Sequence, residues 1–259
     1  MTLPPVPPAF HWTDEVWGAA LRCRPLEAVA PHLFTTRQLE LSSADDVRRM
    51  GDAIGAGDVV MLTQVHGRGV VAVRQGELAP TGRPEADVIV SNATNVAVAV
   101  RAADCVPLLM ADPITGAVAA VHAGWRGTAA RAAAAAVEAL ASAFGATAGD
   151  LIVAIGPSIG SCCYEVGPDL VDAFAAAGHE RYLIDRWFLA PPPPRGSNER
   201  PKMRLDVGGA NRDQLVLAGV REDNIHIANL CTAMHLDVLT SYRVEKDKAG
   251  RIAGVIAAR

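Results

Sequence analysis

Short apolar segments, each bounded by a turn-forming residue, recur through the middle of the chain. Runs rich in valine, isoleucine and alanine that are closed by Gly, Pro, Asn or Asp are typical of buried strands. Several follow one another without an intervening helical pattern, which favours an α+β fold with a mixed sheet packed against helices over a doubly wound fold. The predicted strands cover residues 59–65, 70–73, 87–90, 96–101, 106–110, 117–122, 151–155 and 252–257.

Helical periodicity is clearest after Thr128, which is a suitable N-cap residue. Val137, Leu140 and Phe144 keep the i, i+3, i+7 spacing of a buried stripe, and Gly145 suits the position that follows a helix end. We therefore predict a helix from Thr128 to Phe144. Two further helices are predicted at residues 167–177 and 210–218.

Two segments depart from this regular pattern. Residues 1–30 are rich in proline and alanine, and we interpret them as an N-terminal arm or a first layer of the fold. Residues 190–201 read APPPPRGSNERP and cannot form a regular helix or strand, so we interpret them as a surface loop. Because the chain has the same character on both sides of this loop, residues 1–259 are expected to form a single α+β domain.

Composition narrows the class of protein. The 259 residues are 50% hydrophobic, which allows a sizeable core, and the net charge of −4 argues against a nucleic-acid partner. No apolar run approaches the roughly 18 residues that span a bilayer, and the N-terminus lacks a signal-peptide pattern. We therefore expect a cytoplasmic protein without a membrane partner. The 5 cysteines show no CxxC pair, so reduced thiols are expected. Composition does not define the oligomeric state.

A predicted hairpin brings two reactive side chains together. Asp, Pro and Gly between residues 112 and 116 have turn chemistry. If residues 112–115 form the loop, Ala111 pairs with Gly116 and Cys105 lies opposite His122. Their Cβ atoms would then be about 5 Å apart on one face. A thiol beside an imidazole suits a nucleophilic dyad, part of a metal site or a structural pair.

Several short motifs surround these residues and follow one another along the chain. They are TQVHG (63–67), ADCVP (103–107), HAGWRGT (122–128), IGPSIG (155–160), CYEVG (163–167) and SYR (241–243). In this order they resemble the family of multicopper polyphenol oxidoreductases, or laccase-like proteins, also described as purine nucleoside phosphorylases. The resemblance covers about residues 32–258, and the ADC and HAGWRG elements are specific when they occur together.

The resemblance implies a catalytic metal site formed by His66, Cys105 and His122. The hairpin argument brings two of these three together independently. Three His and Cys ligands with an open fourth position suit catalytic zinc. Copper is the alternative cofactor, because thiolate and imidazole ligands also bind it well.

The resemblance also implies small-molecule substrates. Family activities are phosphorolysis of adenosine or inosine to the free base and ribose 1-phosphate, and deamination of adenosine. We predict that Arg126 binds phosphate, because it precedes the predicted helix start, and that Arg37 and Tyr164 also contact substrate. Arg37 closes an FTTR segment that the family normally continues with Gly-Gly-Val-Ser. Here residues 38–41 read QLEL, so that loop is missing.

Three other functions remain open at the level of sequence. Cys105 and His122 would also serve a metal-free hydrolase or deamidase. A copper polyphenol oxidase is disfavoured, because a coupled multicopper site needs many histidines and the chain has 7. The third alternative is a cell-envelope or protein-interaction factor without activity.

The HxE…PCxxC signature of zinc nucleobase deaminases is missing, so deamination of adenosine would need a different set of residues.

Overall fold

The computed structural model describes residues 2–78, 80–190 and 202–259. Within them the strands are β1 Phe10–Glu15, β2 Gly18–Cys23, β3 His32–Thr35, β4 Asp58–Met61, β5 Val70–Val73, β6 Val88–Ser91, β7 Val96–Ala102, β8 Val106–Ala111, β9 Val118–Ala123, β10 Ile152–Ile155, β11 Glu165–Val166, β12 Phe188–Leu189, β13 Met203–Leu205, β14 Ile225–Ile227 and β15 Ile252–Ala257. The α-helices are α1 Arg24–Glu27, α2 Ala44–Asp52, α3 Trp125–Ala129, α4 Ala132–Phe144, α5 Pro168–Ala176, α6 Arg181–Trp187, α7 Val207–Leu217 and α8 Tyr242–Glu245.

Two six-stranded mixed sheets form the centre of the molecule. The first has the strand order β1-β2-β3-β15-β7-β4, and the second has the order β14-β10-β8-β9-β6-β5. Parallel strand pairs lie at sheet edges, between β4 and β7, β5 and β6, and β10 and β14. The chain passes from the first sheet to the second between β7 and β8, at residues 103–105. These residues include one predicted metal ligand.

Alternating side chains explain why the two sheets stack. Along β7, Val98 joins the apolar cluster between the sheets, whereas Ala97 faces the opposite side, toward α2. Along β8, Leu109 faces the first sheet and Leu108 faces the cluster that includes α4. Since side chains alternate with a period of two along a strand, each central strand contributes to two cores. The result is a four-layered α/β/β/α arrangement, which confirms the predicted α+β class with mixed sheets against helices.

Helix α4 begins later than predicted. Arg131 has a φ of 63°, so its left-handed backbone separates α4 from the short helix α3, whose N-cap is Gly124. Thr128 is therefore not an N-cap. It is buried inside α3, where its Oγ1 accepts a hydrogen bond from Nδ2 of Asn211 at 2.9 Å. The predicted end is confirmed, because Gly145 follows α4 with a φ of 73°.

The N-terminal region forms part of the first sheet instead of an arm. Residues 10–23 contain β1 and β2, which pair antiparallel, and β2 also pairs with β3. Gly18, at a φ of 126°, allows the tight connection between the first two strands. Of the predicted loop at 190–201, residues 191–201 lie outside the described residues. Among the described helices, none has both the length and the apolar character needed to cross a membrane.

The β8–β9 hairpin has a different register from the predicted one. Asp112 N–H donates to the carbonyl of Ala117 at 2.9 Å, so residues 113–116 form the loop and Pro107 lies opposite His122. The Asp112 carboxylate accepts a hydrogen bond from Ile114 N–H at 3.0 Å. This contact stabilises a turn that begins one residue later than predicted. The predicted direct pairing of Cys105 with His122 is therefore wrong by two residues. A register shift of two residues leaves Cys105 and His122 on the same face of the sheet, so both side chains still reach one site.

Candidate metal centre

The buried carboxylate of Asp87 orients the imidazole of His122. Asp87 immediately precedes β6, its side chain is fully buried, and its Oδ1 accepts a hydrogen bond from Nδ1 of His122 at 2.8 Å. This contact fixes the imidazole orientation and leaves Nε2 free to bind a ligand. A carboxylate behind a histidine in this manner is the usual outer partner of a metal-binding imidazole.

The same carboxylate shapes the loop that carries His66. Asp87 accepts hydrogen bonds from the backbone N–H groups of His66 at 3.0 Å, Gly67 at 2.6 Å and Val65 at 3.3 Å. These contacts stabilise a left-handed backbone at His66, whose φ is 62°. The imidazole of His66 thereby meets that of His122 edge to face, with ring centroids 4.9 Å apart.

Cys105 completes the set from the crossing between the two sheets. Its thiol lies beside Gly124, where an added Cβ would stand 2.8 Å from the sulfur and 3.1 Å from Cδ2 of His66. The absence of a side chain at Gly124 therefore leaves the space in which the thiol and imidazole approach each other. The ligand atoms of Cys105, His66 and His122 all lie within 4.8 Å of one another.

The electrostatics of this group suit a metal ion. Burial raises the pKa of Cys105, but hydrogen bonds and positive charge from His122 and His66 outweigh it and bring that pKa to about 7. Burial lowers the pKa of His122, but Asp87 and Cys105 outweigh it and raise the value to about 9. A thiolate is thus readily formed between two imidazoles. Two nitrogens and one sulfur from a pre-oriented set fit a catalytic zinc site with an open position.

A cavity of about 430 Å³ opens on one side of this group and is lined by three arginines. Arg101 and Arg251 come together because Arg101 pairs with Ala253 across β7 and β15. Arg83 is held at the same cavity by Thr63, another residue of its wall, whose hydroxyl donates a hydrogen bond to the carbonyl of Arg83 at 2.9 Å. We call Arg83, Arg101 and Arg251 the arginine cluster.

The arginine cluster has no carboxylate partner in the part of the chain that the structure describes. Within the described residues, no carboxylate lies within 4.0 Å of any of its three guanidinium groups. Nε of Arg101 is buried without a hydrogen-bond partner in the same set of residues. Burial, followed by the charges of Arg83 and Arg251, lowers the pKa of Arg101. An anion in the cavity would relieve both the repulsion and the unmet hydrogen bonding.

A second cavity, of about 210 Å³, lies on the other side of Cys105 and has aromatic walls. Trp125, Tyr164 and Tyr242 line it together with Arg243 and Lys246, and Cys105 and Tyr242 line both cavities. Burial, followed by the charge of Cys105, raises the pKa of Tyr164 to about 12, so this phenol is a hydrogen-bond donor at neutral pH. The wall suits a flat aromatic ligand.

The other two predicted binding residues are not among the residues that line the two cavities. Arg126 lines neither cavity; its guanidinium carbon lies 4.4 Å from the ring centroid of its neighbour Trp125. Arg37 lines neither cavity; it donates hydrogen bonds to the carbonyl of Leu236 and to Glu245, which is in α8 with Tyr242. The QLEL segment that follows Arg37 packs inward, because Leu39 belongs to the core beneath α2.

Sequence reasoning missed Asp87 and the arginine cluster. Asp87 did carry a signal, since it is a charged residue at the start of a predicted buried strand and such residues need a partner. The arginine cluster carried none, because its members lie far apart in the sequence and meet only through strand pairing.

Comparisons with known proteins identify the family of the chain. The sequence profile described as multi-copper polyphenol oxidoreductase laccase matches residues 35–259, and the chain belongs to this family. A purine nucleoside phosphorylase from Deinococcus radiodurans is 35% identical over 246 residues, covering 87% of this chain and 88% of the relative. A purine nucleoside phosphorylase from Synechocystis is 33% identical over 94% of this chain and 98% of its own.

Two further similarities refine the comparison. The crystal structure of YlmD from Geobacillus stearothermophilus matches with a TM-score of 0.80 at 28% identity, covering 96% of this chain and 98% of that one. A protein named adenosine deaminase RL5, from an unknown prokaryotic organism, is 39% identical over 146 residues, which is 56% of this chain and 52% of the relative. The relatives therefore carry the names of two reactions on nucleosides.

Proposed function

We propose that this protein is a metal-dependent purine nucleoside phosphorylase. The observation that carries the proposal is the triad of His66, Cys105 and His122, which lines a cavity with three arginines that have no carboxylate partner among the described residues, while its Cys105 also lines a cavity with three aromatic rings. Phosphate would bind on the first side and the purine on the second. Nearly full-length relatives named purine nucleoside phosphorylase support the same assignment.

In the proposed phosphorolysis, the arginine cluster binds phosphate and Tyr164 binds the purine. The arginine cluster holds phosphate and neutralises it, so that one oxygen can form a bond to C1′ of the ribose. The C1′–N9 bond breaks, its electron pair leaves with the purine, and the purine takes up the proton that the hydrogen phosphate gives up. Tyr164, which stays protonated, donates a hydrogen bond to the base. Bound zinc would supply Lewis-acid stabilisation of developing negative charge.

Product analysis tests the activity. Protein of measured zinc and copper content is incubated with adenosine, with and without phosphate, and the products are separated by chromatography. Phosphorolysis yields adenine and ribose 1-phosphate only when phosphate is present. Inosine formed without phosphate would instead support adenosine deamination, the second candidate, which the RL5 similarity favours. Full turnover after metal removal would favour a Cys105 hydrolase, which the lowered pKa of that thiol would serve.

Paired arginine variants test the phosphate site. Charge-assisted hydrogen bonds are worth about 1.5–3 kcal/mol each, so Arg101→Gln should raise the phosphate KM roughly ten- to a hundredfold. The nucleoside KM should change much less. The same substitution at Arg126 tests the phosphate site predicted from sequence. A large rise for Arg126→Gln with none for Arg101→Gln would reverse our assignment.

A further inference from the structure

Three cysteines outside the triad form a second cluster. Sγ atoms of Cys162, Cys163 and Cys231 all lie within 4.8 Å of one another. Cys162 and Cys231 line a cavity that contains neither His66 nor His122 and that measures about 430 Å³. The cluster is therefore separate from the triad and plays no part in the proposed phosphorolysis.

The backbone holds the three thiols in place from two segments. Cys163 N–H donates to the carbonyl of Gly160 at 2.9 Å, which closes the turn that carries Cys162 and Cys163. Cys231 pairs with Ser158 in a parallel bridge, so it lies beside that turn. Gly160 N–H donates to Sγ of Cys231 at 3.3 Å. A backbone donor aimed at sulfur stabilises its thiolate form.

Close packing of the segments depends on Gly160. An added Cβ there would stand 3.2 Å from Sγ of Cys162 and 3.6 Å from Sγ of Cys231. The thiols are thus grouped around a position that has no side chain. Cys162 is also exposed, so packing of an apolar surface does not account for its place in the group.

The grouping of three sulfur atoms suits a cation. Their Sγ atoms lie within 4.8 Å of one another, close enough for one ion to contact all three. A bound cation is the largest local charge at such a site, and a thiol that coordinates it is deprotonated.

We propose that Cys162, Cys163 and Cys231 form a three-thiolate site for a soft metal ion, Cu(I) before other ions. Thiolate ligands select soft ions such as Cu(I). Within the described residues the group contains three sulfur donors and no imidazole or carboxylate. Structural zinc prefers a closed set of four ligands, which this group does not supply. On binding, each ligating thiol releases its proton to solvent, and no electron is transferred.

Copper titration tests the site. The Cys105→Ala protein, whose triad has lost its thiolate, is reduced and titrated anaerobically with Cu(I) against a chromophoric copper chelator. We expect one Cu(I) per chain. Adding Cys231→Ser should weaken binding by at least ~10-fold, because loss of a ligand costs no less than loss of an outer partner. Adding Cys23→Ala, at a buried thiol in β2, is the matched control and should leave the affinity unchanged.

A second measurement keeps the test independent of folding. Cys231 is buried, so circular dichroism must show that its variant is folded, and Cys163→Ser provides an alternative variant with a less buried ligand. X-ray absorption at the copper edge should count three sulfur ligands. Two sulfur ligands, an affinity insensitive to both serine variants, or an equal loss in the Cys23→Ala protein would overturn the proposal. So would a disulfide within the cluster that resists reduction.

Discussion

Replacing Asp87 by asparagine separates orientation of the triad from ligation. In the folded protein, Oδ1 of Asp87 accepts from His66 N–H and from Nδ1 of His122, while Oδ2 accepts from Gly67 and Val65. Asparagine has nearly the same shape but only one accepting oxygen. Whichever way the amide turns, its NH₂ group faces two donors.

The size of the effect follows from these contacts. Hydrogen bonds to a charged group contribute about 1.5–3 kcal/mol each, and two of them lose their acceptor. Relaxation of the His66 loop recovers part of this free energy, so we expect the free energy of unfolding to fall by about 3 kcal/mol. Loss of the partner behind a ligating histidine should weaken zinc binding roughly ten- to a hundredfold.

The assay is zinc competition against a chromophoric chelator, combined with urea unfolding of the zinc-free protein. Turnover of the Asp87→Asn protein should recover as zinc is added, because the three ligands remain. Asp112→Asn is the matched control, since Asp112 is equally buried but caps the β8–β9 turn. It should lower stability without changing zinc affinity. An unchanged zinc affinity in folded Asp87→Asn would refute the assigned role of this carboxylate.

Three other changes give distinct expectations. Cys105→Ala should lower zinc content and adenosine turnover together, at a cost in stability of a few kcal/mol at most; full zinc content would contradict the ligand assignment. Burial lowers the pKa of His32 from 6.5 to about 4, and its Nε2 accepts from Cys23 N–H. The unfolded chain therefore binds more protons between these values, and stability should fall by roughly 3 kcal/mol as the pH drops from 6.5 to 4, at about 1.4 kcal/mol per pH unit. His32→Gln should flatten this dependence in urea unfolding at several pH values, and an equal slope would contradict it. Leu140→Ala, in the core beneath α4, should cost about 2–5 kcal/mol by the same method, whereas a loss below 1 kcal/mol would show that the core collapses around the gap.

Sequence patterns predicted the buried central strands well, because those strands are continuous apolar runs closed by turn residues. The N-terminal strands escaped detection. Residues 10–15 read FHWTDE, and their membership in the sheet depends on pairing with β2 and β3. The start of α4 was misplaced because a left-handed arginine at position 131 leaves no mark in composition.

The candidate site likewise has residues that the sequence indicated and residues that it did not. Motif resemblance indicated His66, Cys105 and His122, and the hairpin argument had the correct face with the wrong register. The arginine cluster could not be predicted, because the pairing of Arg101 with Ala253 is a long-range property of the first sheet. Local sequence patterns identify reactive and charged side chains, whereas strand register decides which of these side chains lie close together.

The three ligands of the triad come from both layers of the sandwich. His66 follows β4 of the first sheet, His122 is on β9 of the second, and Cys105 lies where the chain crosses between them. No fragment containing a single sheet carries the complete ligand set. The proposed ion would therefore bind with full affinity only after the sheets have stacked, and once bound it would resist their separation. Metal loading would then report on completed folding, because the unfolded chain lacks the assembled ligand set.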